Sequence, residues 1–288
     1  MLSLAMIGFV GCGHAGRDNC DSTKASIQVV GSDTMVNVAQ AWAEQYNKLH
    51  PDLSVQVQGG GSGVGIASLI AGTCDMANTS RKLKEKELAA VKAARGAEAK
   101  ETIVGYDALA VYVNKDNPLE TISIDELAEI YKNDGSVSLW SELGVKTPPG
   151  GQDKIIRVSR QNSSGTYAYF REVVLGNQDY KLGSIDQSGS KDVVALVART
   201  PSAIGYSGMG YTTPEVKMLK VSKHKGEPGI APTVENAAKS IYPITRPLQI
   251  YTAGDPAGRV KQYMDWILSP GGQKIVLEQG YVPVTKHE

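Results

Sequence analysis

The stretch SIQVVGSDTMVNVAQAWAEQYNKLHPDLSVQVQGGGSGVGIASLI, residues 26–70, decides the fold class. Ile27 to Val30 is a short β-branched run, and Gly31-Ser32-Asp33-Thr34 then turns the chain. Met35, Ala39, Trp42, Tyr46 and Leu49 recur at steps of four and three, the stripe of an amphipathic helix. His50-Pro51 stops that helix, because proline lacks the N–H the next turn needs. Leu53 to Val57 alternates as a second strand, and Gly59 to Gly63 opens a second helix carrying Ile66, Leu69 and Ile70. Strand, helix, strand, helix predicts a parallel sheet covered by helices.

Working outward, Cys74 to Ala77 reads as a third strand and Glu85 to Arg95 as a lysine-rich helix. Ile103 to Val113, broken by Gly105 and Asp107, reads as a crossing into a second lobe. There Ser123-Ile124-Asp125-Glu126 forms a capping box, Ile155 to Ser159 a strand, and Tyr167 to Leu175 a helix after the polar turn Arg160 to Thr166. Lys191 to Arg199 and Ala203 to Tyr206 continue the alternation. Tyr242 to Pro247 followed by Leu248 to Tyr251 reads as the return crossing, and helices over Arg259 to Leu268 and Gln273 to Gln279 close the chain. The expected division is 26–106 with 247–288 as one lobe and 107–246 as the other.

Composition narrows the functional classes. The chain has 288 residues, 41% hydrophobic and 21% charged, which suits two packed lobes and excludes a disordered chain. Lys+Arg 30 balances Asp+Glu 30, so the basic stripe of a nucleic-acid binder is missing. The cysteines and histidines form neither a CxxC pair nor HExxH, which argues against a zinc site, and no cofactor is implied.

Leu2 to Val10 is almost wholly apolar and leads into Gly11-Cys12, the pattern that ends a lipoprotein signal peptide. Cys12 is therefore expected to carry lipid, with the true start of the signal upstream and residues 13–25 as a tether. That predicts a periplasmic or cell-surface protein anchored to a membrane. Export would permit a Cys20–Cys74 disulfide without demanding one.

The strongest chemical signal is a recurrence. Ser32-Asp33-Thr34, Gly61-Ser62-Gly63 and Ser163-Ser164-Gly165-Thr166 each follow a strand and precede a helix. Such turns present free backbone N–H groups at the positive helix end, with hydroxyls as further donors, and so bind oxyanions. Each alone reads as an ordinary N-cap. Together, with Arg160 beside the third and Arg81 after the third strand, they point to an anion site. Gly59 to Gly65 does not fit GxGxxG, and neither GxxxxGK[ST] nor GxSxG occurs.

These segments resemble one family. Val30-Gly31-Ser32-Asp33-Thr34-Met35, Gly60-Gly61-Ser62-Gly63, Arg160 to Thr166, Ile204-Gly205-Tyr206 and the closing Leu268 to Lys274 and Gly280 to Val284 resemble the phosphate-binding subunit of bacterial phosphate ABC importers, the PstS type. The resemblance runs from about Ser26 to the C-terminus. It implies an α/β, two-lobed periplasmic-binding-protein fold of type II, each lobe a mainly parallel sheet flanked by helices, with phosphate in the interlobe cleft and a membrane ABC permease as partner. Carried over by position, Ser32, Thr34 and Met35 would donate from the first helix start and Ser62 from the second. Arg160 would pair with the anion, with Ser164, Gly165 and Thr166 beside it, and Arg81 would face the cleft.

The familiar pattern has an aspartate after the third strand that accepts the proton of hydrogen phosphate; Ala77-Asn78-Thr79-Ser80-Arg81 offers Ser80 there. A carboxylate acceptor is what separates phosphate from unprotonated sulfate. Asp107 on the crossing and Asp33 in the first turn are the available replacements, Asp107 being favoured. Other readings stay open: another oxyanion such as sulfate or molybdate, a surface anion sensor, or a phosphate-ester hydrolase. The last is disfavoured because His14, His50, His224 and His287 all fall in surface-like contexts.

Overall fold

The quoted stretch folds as its period dictates. In the computed structural model, which describes residues 25–284, strand β1 (Ala25–Gly31) buries Ile27 and Val29. Helix α1 (Val36–Leu49) then lays Val38, Ala39, Trp42 and Tyr46 on the core, and the Trp42 indole N–H donates to the Gly272 carbonyl at 2.8 Å. Leu49, expected to end the stripe, is 53% exposed, because the helix ends with it. Replacing Trp42 with alanine empties an indole-sized volume and orphans the Gly272 carbonyl, so chemical denaturation should register a loss of about 3–5 kcal/mol. A loss below about 1 kcal/mol would contradict this packing account.

β2 (Leu53–Gln58) and β3 (Met76–Thr79) flank β1 in parallel, with α2 (Ser62–Ala71) and α3 (Glu85–Arg95) as the following helices. β3 begins two residues later than the sequence suggests. The Asp75 carboxylate, rather than a ladder carbonyl, accepts the Gln28 N–H at 2.8 Å, so pairing starts beyond it. Cys74 is buried and pushed up to about 12, chiefly by that burial. Its suggested partner Cys20, tether residues 13–24 and Cys12, the expected lipidation site, lie outside the described residues.

The crossing is a single strand. β4 (Ala99–Asn114) runs 16 residues, and the break that Gly105 and Asp107 suggest is reduced to a one-residue register shift against β11 between Ile103 and Gly105. Glycine at 105 instead admits the C-terminal segment: a Cβ there would lie 3.1 Å from both Val276 Cγ1 and the Val282 carbonyl oxygen. Asp107 is tolerated in a buried strand because its register partner on the returning strand is Arg246.

In the second lobe, β5 (Thr121–Ser123) leads into α4 (Ile124–Tyr131), whose capping box forms: Ser123 Oγ accepts the Glu126 N–H at 3.1 Å and Glu126 accepts the Ser123 N–H at 3.0 Å. β6 (Ile156–Arg160), α5 (Gly165–Val173), β7 (Ile185–Gln187), α6 (Ser190–Ala198) and β8 (Ala203–Gly208) complete the alternation. Short β9 (Val216–Met218), β10 (Lys220–Ser222) and α7 (Val234–Ala238) precede the return strand β11 (Thr245–Ala253). α8 (Gly258–Ile267) and α9 (Pro270–Glu278) then pack back on the first lobe.

One curled sheet runs β2-β1-β3-β11-β4-β8-β6-β7, parallel within each lobe and antiparallel where β4 and β11 join them. Separate apolar cores form on each side, one around Trp42, Tyr46 and Tyr263, the other around Tyr131, Trp140, Phe170 and Tyr206. This is the two-lobed α/β architecture of periplasmic binding proteins of type II. The expected lobe limits fall inside β4 and β11.

Candidate anion-binding site

The three turns meet between the lobes. Ser32 donates its amide to the Asn78 carbonyl at 2.8 Å and its hydroxyl to Ser80 Oγ at 3.0 Å. Ser62 Oγ, at the start of α2, accepts the Ser80 amide at 3.1 Å. From the opposite lobe, Thr166 Oγ1 lies 2.9 Å from Thr34 Oγ1. Ser32, Thr34, Ser62, Ser80, Ser164 and Thr166 are all buried. Glycine at 165 makes this approach possible, since a Cβ there would stand 2.2 Å from Ser62 Oγ and 2.6 Å from Ser80 Oγ.

At the centre is Arg246, wholly buried on β11. Nη2 donates to Thr34 Oγ1 and Thr166 Oγ1, both at 3.1 Å, and to Asp107 Oδ2 at 2.9 Å. Nε reaches the same Asp107 oxygen at 3.1 Å, and Nη1 reaches the Ser80 carbonyl at 3.3 Å. Asp107 Oδ1 accepts the Met209 amide at 3.2 Å. Burial pushes the Asp107 carboxyl above the ordinary carboxylate range, against the pull of the Arg246 guanidinium and the Met209 amide.

Arg160 stands at the end of β6, just before the third turn. Its guanidinium, 1% exposed, donates to the Gln187 carbonyl (3.3 Å), Ser190 Oγ (2.9 Å), the Ser188 carbonyl (2.8 Å) and Asp33 Oδ2 (3.0 Å). Arg160 and Arg246 against Asp33 and Asp107 make two ion pairs whose formal charges cancel. What the junction offers an anion is therefore not net charge but directed hydroxyl, amide and guanidinium groups in a dehydrated space, where each hydrogen bond is stronger than in water.

The remaining expected residues divide. The Met35 amide donates to the Ser32 carbonyl at 3.0 Å, closing the first turn, and its side chain lies in the lobe core. Ser164 is the N-cap of α5, its hydroxyl accepting the Thr166 and Tyr167 amides at 3.1 and 3.4 Å. Arg81 lines a cavity shared with Asn162 and Tyr167 of the other lobe, and both its terminal nitrogens close on Glu87 at 2.8 Å, because that residue, in the first turn of α3, brings a carboxylate within reach of the fork. Sequence reading passed over Arg246, although Thr245-Arg246-Pro247 stood in the return crossing. A buried acid on one crossing strand calls for a base on the other, and that pairing was the available signal. Tyr211 and Tyr281, whose hydroxyls each donate at 2.6 Å to the Asp33 and Thr34 carbonyls respectively, were also missed.

A family model described as a PBP superfamily domain matches residues 19–270. The phosphate-binding protein PstS of Pseudomonas aeruginosa is 33% identical over 269 residues, spanning 90% of this chain and 83% of that protein. Its namesake in Bacillus subtilis is 35% identical, spanning 99% and 94%. The chain belongs to the PstS family. A solved structure of a putative phosphate ABC transporter substrate-binding protein with bound phosphate from Clostridium perfringens superposes with a TM-score of 0.79 at 29% identity, covering 90% of this chain and all of that one. In this PstS-family chain, then, the turns named from sequence are brought together at the lobe junction.

Proposed function

We propose that this protein captures inorganic phosphate between its lobes and presents it to an ABC permease. The observation that carries the reading is the meeting of Thr34, Ser80 and Thr166, drawn from both lobes, on the single guanidinium of Arg246. A tetrahedral oxyanion entering among these groups exchanges bonds they now make with one another for bonds to its own oxygens. Hydrogen bonds to a charged group contribute roughly 1.5–3 kcal/mol each, so a handful suffices for the about −8 kcal/mol of a micromolar complex after lost ligand freedom is subtracted. Closure turns about β4 and β11. Anchoring through Cys12 and export belong to the same proposal, and labelled fatty acid incorporation lost on Cys12→Ser tests them.

Calorimetric titration of anion-free protein should detect phosphate and arsenate at micromolar Kd or tighter, and sulfate and molybdate far more weakly. Equal affinity for sulfate would favour the broader oxyanion reading. Asp107 is the proposed acceptor of the phosphate O–H. Asp107→Asn is expected to cut the phosphate-to-sulfate affinity ratio at least tenfold, about 1.4 kcal/mol of discrimination; an unchanged ratio removes Asp107 from that role. The proposal is of binding without catalysis, so p-nitrophenyl phosphate should stay intact.

A further inference from the structure

Asp33 lies in the first turn, yet its carboxylate looks across to the other lobe. Oδ2 accepts from Arg160 Nη2 at 3.0 Å, while Oδ1 holds the Gly60 amide at 2.8 Å. Its backbone carbonyl accepts the hydroxyl of Tyr211, a residue of the second lobe, at 2.6 Å. Arg160 is fixed on its own side by Ser190 and the carbonyls of residues 187 and 188, so four of its bonds engage protein acceptors. Among the described residues, this is the one ion pair joining the lobes apart from Asp107–Arg246 on the crossing strands. The side chains are 1% and 15% exposed, so solvent and salt screen the pair weakly.

Parting of the lobes would carry Asp33 away with Gly60 while Ser190 holds Arg160, and so would break these contacts. We propose that Asp33, through Arg160 and Tyr211, is the latch of the closed form: a positioning residue that sets how long the captured anion is held, without contacting it. The inference rests on the phosphate-capture reading. It differs from two other roles for the same carboxylate. As the proton acceptor, Asp33 would set the phosphate-to-sulfate ratio. As a bare negative charge, its removal would tighten the grip on an anion and slow release.

Stopped-flow release of phosphate distinguishes the three. Asp33→Asn should release phosphate about tenfold faster, with the phosphate-to-sulfate affinity ratio unchanged within twofold. Tyr211→Phe, which alters no charge, should speed release about threefold. Slower release by Asp33→Asn, a tenfold change in the ratio, or wild-type release from both variants overturns the latch. Melting in anion-free buffer checks folding; if Asp33→Asn is misfolded, Tyr211→Phe alone decides. Should the wild type bind no phosphate, the capture reading fails separately. The latch is then decided by small-angle scattering of the anion-free proteins: a larger radius of gyration for Asp33→Asn upholds it, and equal radii refute it.

Discussion

Arg246→Met is expected to cripple phosphate binding, with a loss of about a hundredfold to ten-thousandfold in affinity. The substitution removes the donors that reach Thr34, Thr166 and Ser80, and with them the charge nearest the junction. Two charge-assisted hydrogen bonds at roughly 1.5–3 kcal/mol each correspond to a factor between about 10² and 10⁴. The same change leaves Asp107 buried without its partner, which costs about 3–5 kcal/mol of stability. Binding and folding are separated by pairing Arg246→Met with Asp107→Leu. An apolar pair of similar volume relieves the stranded charge, so the double variant should recover most of the melting temperature while phosphate binding stays lost. Recovery of binding in the double variant would mean that the guanidinium is scaffold rather than donor.

The second large effect belongs to Gly165. Alanine is a better helix former than glycine, so Gly165→Ala at the first position of α5 leaves the second lobe as stable as before or slightly more so. The added methyl, however, must occupy space 2.2 Å from Ser62 Oγ and 2.6 Å from Ser80 Oγ. The lobes then cannot reach the separation at which Thr34 meets Thr166. Loss of one or two interlobe hydrogen bonds to the anion amounts to about 3 kcal/mol, a factor of roughly a hundred or more in Kd. Unchanged melting with weakened binding is the expected pair of results. Wild-type affinity would show that the lobes close on the anion without bringing α5 against Ser62 and Ser80.

Much of this was legible in the sequence because it is locally encoded. The β-branched run before Gly31, the stripe from Met35 to Tyr46, the Ser123 capping box and the turn at Ser163 to Thr166 each specify their element with no help from distant residues. The turns also stood out as clusters of hydroxyl and amide groups at helix starts. Two kinds of information were not local. The strand at Ile103 to Val113 looked interrupted because Gly105 and Asp107 are poor strand residues alone; they are explained only by the C-terminal segment and by Arg246, over a hundred residues away in sequence. Arginine roles were the second gap. A motif says that Arg160 and Arg81 stand near the cleft, but which oxygens each fork meets depends on Asp33, Ser190 and Glu87, whose positions only the fold determines. The central guanidinium came from a segment read merely as a connection.

A diffraction structure of the protein with phosphate decides whether the lobe junction is the anion site. The anion is expected there, its oxygens about 2.6–3.2 Å from Thr34 Oγ1, Thr166 Oγ1 and an Arg246 nitrogen, with Asp107 Oδ1 or Oδ2 facing the protonated oxygen. Phosphate bound elsewhere, with Thr34, Thr166 and Arg246 still hydrogen-bonded to one another, would contradict this assignment.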